Sequence, residues 1–423
     1  MTARDKGETT NSGPLAGLTV IDVGMLFAGP LVGTLLADLG ATVIKVEHPA
    51  GDEVRRVGRF KDGQPLWWRV TSRNKLLAAV DIKTPEGQKV LRRLVKSADI
   101  LIENFRPGRF AEWGMTYEGL SQDNPGLILL HVSGYGQTGP YSSRPGMGTL
   151  AEAFSGFAHT IGPREAPPSL PMFPVADGVA AITGAYAVLA ALYARGRDGR
   201  GDEIDLSLYE PLLSLMGAMA IDYDQLSYIA TRHGNRSNWS VPRNTYATRD
   251  GKYVAVSSAA NSVAKRLFRA IGRPDLAEDP DLATNPQRVK RIEECDGAIA
   301  EWVARHTQEE ALARFLECEV VAGPIYDVKQ LFEDKHVQER GTFVDVQDPI
   351  LGSVKVQGVV PRYRRNAAEM RWLGKTVVGA DTRSLLSQVG YSKDEIAALE
   401  ASGIVRTAPG HADEERLLSS VTP

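Results

Sequence analysis

Short apolar segments alternate with helix-forming segments over residues 15–133 of this chain. The segments that we interpret as strands are TVIDVG (19–24), ATVIKVE (41–47), LLAAVDIK (76–83), DILIEN (99–104) and GLILLHVSG (126–134). Short apolar strands of this kind are typical of a sheet that is covered on both faces. Because strands that alternate with helices form βαβ units, we predict an α/β fold with a mostly parallel sheet and helices on both faces.

The chain beyond residue 151 predicts a different kind of structure. Residues 178–195 form a long apolar helical pattern, and NTYATRDGKYVAVSS (244–258) predicts a hairpin with RDG at its turn. Helical patterns then continue until strand character returns at residues 342–366. We therefore predict a second, smaller α+β domain in the middle of the chain.

The charge balance and the cysteine content exclude several classes of protein. The 423 residues carry 49 Lys and Arg against 52 Asp and Glu, which argues against bulk binding to nucleic acid or to an anionic membrane. The two cysteines, Cys295 and Cys318, lie outside any CxxC or Cys/His cluster, so we expect neither a disulfide framework nor a metal site. This cysteine usage fits a reducing cytoplasm best.

Neither a membrane segment nor a secretion signal is predicted. The longest apolar stretch, residues 180–194, is shorter than the roughly 18 residues that a membrane-spanning helix needs. The N-terminal residues 1–14 are polar and contain no apolar core of a signal peptide, so we predict a short disordered tail.

The GxGxxG motif at residues 134–139 follows a predicted strand, as a dinucleotide-binding fingerprint does. That fingerprint needs a helix to begin at the glycines, so that the helix N-terminus meets the pyrophosphate. Here PYSSRPG follows at residues 140–146, which is typical of a loop. We therefore expect a glycine-rich loop at the carboxyl end of a strand, without a nicotinamide or flavin cofactor.

Asp177 is the strongest candidate for a catalytic side chain. It lies between a proline-containing extended segment, PMFPVA, and a strongly apolar helical pattern. In the structural interpretation it is the helix N-cap, and its carboxylate accepts hydrogen bonds from the free N–H groups of the first turn. In the functional interpretation, a carboxylate among apolar residues is a covalent nucleophile. The two interpretations do not exclude each other.

The seven histidines provide no competing site, since they are scattered along the chain. The sequence also contains no GxSxG motif, phosphate-binding P-loop or HExxH motif, which excludes the hydrolase classes that these motifs define.

Several blocks in fixed order resemble the family III CoA-transferases, the group that contains formyl-CoA and carnitine CoA-transferases and α-methylacyl-CoA racemases. The blocks are LAGLTVIDVGMLFAGPLVGTLLADLGATVIKVEHPAGDEVR (15–55), RNKLLAAVDIKTPEG (73–87), ADILIENFRPG (98–108), HVSGYGQTGP (131–140), VADGVAAITGAYAVLAALYARGRDGRGDEIDLSLYE (175–210) and DGKYVAVS (250–257). The resemblance covers roughly residues 15–365.

The resemblance implies a large Rossmann-like domain that is built from both chain ends, a small α+β domain between them, and two chains interlocked in a homodimer. The boundaries that we expect are 1–14 for a tail, 15–205 for the N-terminal part of the large domain, 206–230 for a linker helix, 231–330 for the small domain, 331–406 for the C-terminal part of the large domain and 407–423 for a second tail.

The resemblance also implies a chemistry. Asp177 matches the family nucleophile, which moves CoA between an acyl-CoA donor, such as succinyl-CoA or another dicarboxylyl-CoA, and a carboxylic acid acceptor through covalent aspartyl intermediates. Coenzyme A then enters as substrate, and neither a metal nor ATP is needed. The residues that match the family's CoA contacts are Phe27, Ala28, His48, Val80, Asp81, Ile82, Lys83, Asn104, Phe105, Arg106, Gly146 and Met147.

One departure from the family pattern separates its branches. Racemases carry Gly-His-Asp where this chain has Gly146-Met147-Gly148, and many transferases carry an aromatic residue followed by an acid. Methionine cannot transfer a proton, which argues against the alternative function of a 2-methylacyl-CoA racemase. The missing aromatic–acid pair leaves a third alternative open, a non-catalytic CoA-binding subunit of a heteromeric transferase.

Overall fold

A computed structural model describes residues 12–408, so most of the two predicted tails, residues 1–14 and 407–423, lies outside the described residues. In chain order, the strands are β1 Thr19–Asp22, β2 Thr42–Glu47, β3 Phe60–Lys61, β4 Gln64–Pro65, β5 Lys75–Val80, β6 Ile100–Glu103, β7 Ile128–Ser133, β8 Glu203–Ser207, β9 Arg243–Ala247, β10 Tyr253–Ser257, β11 Ala322–Pro324, β12 Phe343–Asp348, β13 Gly352–Gln357 and β14 Val405–Arg406. The helices are α1 Ala28–Asp38, α2 Leu66–Thr71, α3 Pro85–Val95, α4 Arg109–Glu112, α5 Tyr117–Asp123, α6 Gly148–Phe154, α7 Phe157–Thr160, α8 Val175–Asp198, α9 Tyr209–Ser214, α10 Met219–Leu226, α11 Asn261–Ala270, α12 Pro274–Glu278, α13 Asn285–Lys290, α14 Ile292–Val303, α15 Gln308–Glu317, α16 Val328–Glu333, α17 Lys335–Glu339, α18 Thr382–Gln388 and α19 Lys393–Ala401, with 3₁₀ turns at Glu53–Arg56 and Pro280–Leu282.

The larger of two compact units is built on a seven-stranded sheet in the order β14-β5-β2-β1-β6-β7-β8. Six of these strands are parallel, and β14 alone pairs antiparallel, placing Val405 opposite Val80. The prediction of an α/β fold with a mostly parallel sheet is therefore confirmed. The strand order turns at β1, because β2 lies on one side of it and β6 on the other. Open α/β sheets bind ligands at the carboxyl ends of their strands beside such a switch point.

Helix α3 shows how the sequence fixes an element of this unit. Thr84 is the N-cap, and its side chain accepts a hydrogen bond from the N–H of Gly87. Pro85 occupies the first helical position, where its missing N–H costs nothing. Val90, Leu91 and Leu94 then pack into the main hydrophobic core of the unit.

Helix α8 runs through the larger unit and packs against α1, β7 and β8. At Gly184, a Cβ atom would lie 3.0 Å from Val32 Cγ2 and 3.2 Å from Leu130 Cδ2, so the glycine permits a close approach. Within residues 12–408, α8 is the one helix that is long and apolar enough to cross a membrane, by length and composition alone. The core helices of many globular proteins pass the same test.

The smaller unit contains the predicted hairpin. Strands β9 and β10 pair antiparallel, and β11 joins β10 on its other edge. Gly251 in the turn has φ of 73°, a left-handed conformation that glycine adopts without strain. The helices of this unit pack around a separate core that includes Phe268, Ile299 and Phe315.

The boundaries of the two units differ from the expected domain boundaries. The larger unit comprises residues 12–156, 171–217 and 341–408, and the smaller one comprises 157–170 and 218–340. The segment predicted as one linker helix contains the end of β8 and two separate short helices, α9 and α10. The division falls between these two helices, where the sequence has no proline- or glycine-rich linker to reveal it.

Thr407, where the second tail was predicted to begin, is packed in the larger unit and only 7% exposed. Its N–H and hydroxyl both donate to Oε1 of Glu400, and its hydroxyl oxygen accepts from Arg383. These side-chain partners lie in α18 and α19, and the sequence around residue 407 shows no pattern that would predict these hydrogen bonds.

Candidate active site

A cavity of about 450 Å³ opens at the carboxyl ends of the central strands of the larger unit. The loops that follow β1, β6, β7 and β8 all contribute to its wall, as expected beside the switch point of an open α/β sheet. Its lining is mainly apolar, with Asn104, Ser133, Thr149, Glu152 and Asp177 as the polar side chains. Asp177 therefore lies where this class of fold binds ligands.

Asp177 is the third residue of α8, so the prediction that it is the N-cap is wrong. The helix begins three residues earlier than predicted, and its cap position is occupied by Pro174, whose side chain makes no capping bond. The first N–H groups of α8 are instead bonded by Glu152, whose Oε1 accepts from Val175 N at 2.9 Å and from Ala176 N at 3.2 Å. With capping assigned to Glu152, the carboxylate of Asp177 is available for chemistry.

The pKa of Asp177 is raised from 3.8 to about 6. Burial is the main cause, because it removes the water that would stabilise the charged form. The negative charge of Glu152 raises the pKa further, while the N–H of Asp177 itself lowers it. A carboxylate of raised pKa is more basic and hence a better nucleophile than an exposed one.

Gly148 makes room for the carboxylate of Asp177. A Cβ atom on Gly148 would lie 1.8 Å from Asp177 Oδ2, far inside the closest approach of two atoms. This contact is a physical reason for the absence of an acid at this position, which the sequence comparison with transferases had left open. Met147 beside it lines the cavity with an exposed side chain and supplies no proton-transfer group.

The loop between β1 and α1 is held by side chains from three other segments. The carboxamide of Asn104 accepts from Met25 N at 2.6 Å and donates to Met25 O at 2.8 Å. Lys45 donates to the carbonyl of Gly24 and pairs with Asp52 at 2.9 Å, with both side chains almost completely buried. The matched residues Phe27 and Ala28 follow at once and line the cavity, and α1 begins at Ala28 without a side-chain cap.

A second cavity of about 250 Å³ gathers most of the other residues that match CoA contacts. Its lining includes His48, Val80, Asp81, Ile82, Lys83 and Phe105. Met25 lines both cavities. Exposed Arg56 also lines the second cavity, and the sequence analysis did not identify this cation.

Arg106 stands apart from the other matched residues. It lines a third cavity of about 360 Å³, together with His131. His131 lies between two carboxylates, with Nδ1 2.5 Å from Glu103 and Nε2 3.0 Å from Glu203. Burial lowers the pKa of His131, but these two carboxylates outweigh it and the net pKa is raised. The charged residues at this third cavity therefore form an ionic cluster that is separate from the cavity of Asp177.

The glycine-rich motif at residues 134–139 is a loop, as predicted, since the next helix, α6, begins only at Gly148. Gly134 packs backbone to backbone on Gly146, because a Cβ on Gly134 would lie 2.5 Å from the Cα of Gly146. Gly146 thus lines the first cavity through its backbone. Within residues 12–408, no group of three or more His, Cys, Asp or Glu side chains has a geometry that could hold a metal ion.

The sequence profile of CoA-transferase family III matches residues 15–382. The chain belongs to this family. Among its relatives, the succinyl-CoA–D-citramalate CoA-transferase of Chloroflexus aurantiacus is 39% identical over 93% of this chain and 98% of its own length. The succinyl-CoA–L-malate CoA-transferase alpha subunit of Chloroflexus aurantiacus is 36% identical over 93% of this chain and 92% of its own.

Solved structures of family III proteins agree with this assignment. The crystal structure of a CAIB/BAIF family protein from Brucella suis superposes with a TM-score of 0.79 at 29% identity, covering 89% of this chain and all of that one. The predicted resemblance and the predicted CoA-transferase activity are both confirmed. As a family III enzyme, this chain uses CoA thioesters as substrates.

Proposed function

We propose that this CoA-transferase moves CoA from succinyl-CoA to a carboxylic acid through covalent intermediates on Asp177. The observation that supports this most directly is the partly buried carboxylate of Asp177 in the wall of an apolar cavity, with its pKa raised to about 6. At neutral pH it is ionised and able to attack, and the apolar lining keeps it poorly hydrated.

The proposed reaction exchanges bonds without an external energy source. An Oδ atom of Asp177 attacks the thioester carbonyl, the C–S bond breaks, and CoA leaves as thiolate from a mixed anhydride. The thiolate attacks Cγ of Asp177 and expels the donor acid, which leaves an aspartyl-CoA thioester. The acceptor carboxylate displaces CoA from Cγ to form a second anhydride, and the thiolate then takes the acceptor acyl group and frees Asp177.

Both intermediates on Asp177 would hydrolyse if water entered the site. The apolar side chains of Phe27, Val54, Trp67 and Leu208 line the same cavity and limit its water content. This lining suits a transferase, which must favour a carboxylic acid over water as the attacking group.

We propose that CoA lies across the first two cavities. The adenosine phosphate end fits the second one, where Lys83 and Arg56 supply cationic groups and His48, Val80, Asp81, Ile82 and Phe105 line the wall. Met25 lines both cavities, so the pantetheine arm would cross there and run past Phe27 and Ala28. The thioester would then reach Asp177 beside Asn104, Gly146 and Met147.

The proposed donor is succinyl-CoA, because the names of both relatives above include it. Citramalate and malate, the acids in those names, are both hydroxydicarboxylates. We propose an acceptor of this class for the present enzyme, and a panel of free acids with mass spectrometry of the CoA products identifies it.

Trapping of the aspartyl intermediate tests the mechanism. After incubation with succinyl-CoA, hydroxylamine is expected to convert Asp177 to a hydroxamate that peptide mapping locates, and borohydride is expected to reduce the thioester at the same residue. Asp177→Asn serves as the control, and it should show neither adduct nor transfer. Unchanged activity of Asp177→Asn would contradict the proposed role.

We propose that the enzyme is a homodimer. Helix α8 carries an exposed stripe of Ile182, Tyr186 and Tyr193, which are 63%, 62% and 76% exposed. Their spacing places them on one face of the helix, and large apolar patches of this kind on a globular protein mark an interaction surface. We assign a second copy of this chain to this stripe, as the interlocked dimer expected from the resemblance would require.

One relative gives a specific reason to test a second arrangement. It is named as the alpha subunit of an L-malate CoA-transferase, so heteromeric enzymes occur in this family. Activity of the purified chain alone, together with a molar mass of two chains by light scattering, supports the homodimer. An inactive chain that gains activity only with a related subunit would support the heteromer.

We propose a reducing compartment such as the cytoplasm for this enzyme. Cys295 and Cys318 are both free, and Cys295 is buried with a pKa raised to about 11 by burial. A thiol of this kind stays protonated and is little reactive at neutral pH.

A further inference from the structure

Glu152 lies at the candidate active site although no sequence pattern pointed to it. It follows Gly148 by four residues in α6, so both positions lie on the same face of that helix. Its side chain is buried, with 2% of the residue exposed, and it lines the same cavity as Asp177. A transferase-like acid is absent at position 148, but an acid is present one helical turn further on.

The hydrogen bonds of Glu152 hold the first turn of α8. One oxygen, Oε1, accepts from both Val175 N and Ala176 N, and the Pro174 side chain has no acceptor to do so. These two N–H groups directly precede Asp177 in the chain. The position of the Asp177 carboxylate against Gly148 therefore depends on a bond from α6 to α8.

Within the described residues, Glu152 and Asp177 are the only titratable side chains that line this cavity. Charged groups on the other elements packed against α8 already have partners. Glu210 of α9 is bonded to Ser207, and Asp38 of α1 is paired with Arg73. His131 of β7 lies between Glu103 and Glu203, and Asp205 of β8 accepts a hydrogen bond from Gln137 N.

We propose that Glu152 is a positioning residue for catalysis, which caps α8, fixes the carboxylate of Asp177 in the cavity and keeps a negative charge beside it. This inference rests on the proposed nucleophilic role of Asp177. The like charge makes ionised Asp177 less stable and more basic, so that it gives up its negative charge to the thioester carbonyl more readily. In this chain, a single acid combines the structural role of a helix cap with electrostatic control of the nucleophile.

Two variants separate these effects. Glu152→Gln keeps an oxygen acceptor for the two N–H groups but removes the charge, whereas Glu152→Ala removes both. The matched control is Glu309→Gln, the same exchange at an exposed glutamate of α15. Thermal unfolding of each variant checks that it folds, and kcat and kcat/KM are then measured with succinyl-CoA from pH 4.5 to 8.5.

The acid limb of the wild-type profile is expected near the pKa of Asp177, about 6. In Glu152→Gln this limb should move to lower pH by roughly half to one unit, because the repulsion is gone. In Glu152→Ala the plateau value of kcat should fall roughly 10- to 100-fold, because the nucleophile is displaced. Glu309→Gln should match the wild type.

An acid limb in Glu152→Gln that coincides with those of the wild type and Glu309→Gln would overturn the inference, provided that Asp177→Asn is inactive. If Asp177→Asn retains activity, the proposed function itself fails. The two failures are therefore distinguishable in one set of measurements.

Discussion

The carboxyl group of Asp177 has two protonation states that differ in function. Only the ionised form can attack a thioester, and burial together with Glu152 raises its pKa to about 6. We therefore expect kcat/KM to fall about tenfold for each pH unit below 6 and to level off above 7. Rate measurements with a saturating acceptor acid check this. A profile that stays flat down to pH 4.5 would contradict it.

The same pKa shift predicts an effect on stability. The folded pKa of Asp177 lies above its unfolded value of 3.8, so ionisation destabilises the folded state, fully so above pH 6 and not at all below about pH 4. Asp177→Asn should raise the free energy of unfolding by about 1–3 kcal/mol at pH 8. This gain should shrink as the pH falls towards 4. Urea unfolding at both pH values measures the difference.

Substitution of Gly148 is expected to lower activity through a steric clash with Asp177. Gly148→Ala places a methyl group where Asp177 Oδ2 lies, so the carboxylate must move, and kcat should fall roughly 100-fold. Gly196→Ala is the control in α8, because nothing lies within 4 Å of its added Cβ and alanine favours the helix. The control should keep full activity and gain up to about 1 kcal/mol of stability.

The sequence identified Asp177 but not its immediate surroundings. A proline-containing segment before an apolar helix was enough to single out the aspartate, yet the helix begins at Val175 and the cap is provided by Glu152. That bond joins residues 23 positions apart, so no local pattern encodes it. Conversely, Arg106 matched the family pattern but lines a different cavity.

Asn104 supplies one of the side chains that hold the loop between β1 and α1. Asn104 bonds both polar backbone groups of Met25, so its two side-chain groups are already engaged before a substrate arrives. Sequence similarity marked it as a CoA contact, and its visible function is to shape the loop that precedes Phe27 and Ala28. Met25 lines both cavities that we assign to CoA.

Removal of this carboxamide should weaken binding of CoA. In Asn104→Ala the N–H and C=O of Met25 lose their partners, and we expect KM for succinyl-CoA to rise about tenfold. Asn124→Ala is the matched control, because its side chain also bonds backbone oxygens, those of Val95 and Ala98. The control should lose stability while its KM is unchanged. Equal KM values for both variants and the wild type would contradict the expectation.

The strands and their parallel pairing were predictable because each is a short apolar run between helical segments. Their order was not, since the position of β1 between β2 and β6 is set by helix packing and strand register over long sequence separations. The pairing of β14 at the sheet edge could not be predicted either, because a strand of only two residues, Val405 and Arg406, is too short to show an alternating pattern.

The exposed stripe on α8 leads us to predict that a substitution in it disrupts the proposed homodimer. A lysine in place of Tyr186 would be buried without a partner at the proposed interface, so Tyr186→Lys should shift the molar mass from two chains to one. Sedimentation velocity measures this, and circular dichroism confirms that the helix content is kept. Leu316→Lys, an equally drastic exchange at a side chain that is 79% exposed in α15, should leave the mass unchanged. A wild-type enzyme that sediments as a single chain would contradict the assignment.

The pairing of β14 with β5 also has a consequence for biosynthesis. Val80 is translated long before its partner Val405. During translation the smaller unit can complete its own core, while the edge of β5 in the nascent larger unit stays unpaired until β14 has been translated. Truncated chains that lack β14 should therefore accumulate as soluble species only when a chaperone covers that edge.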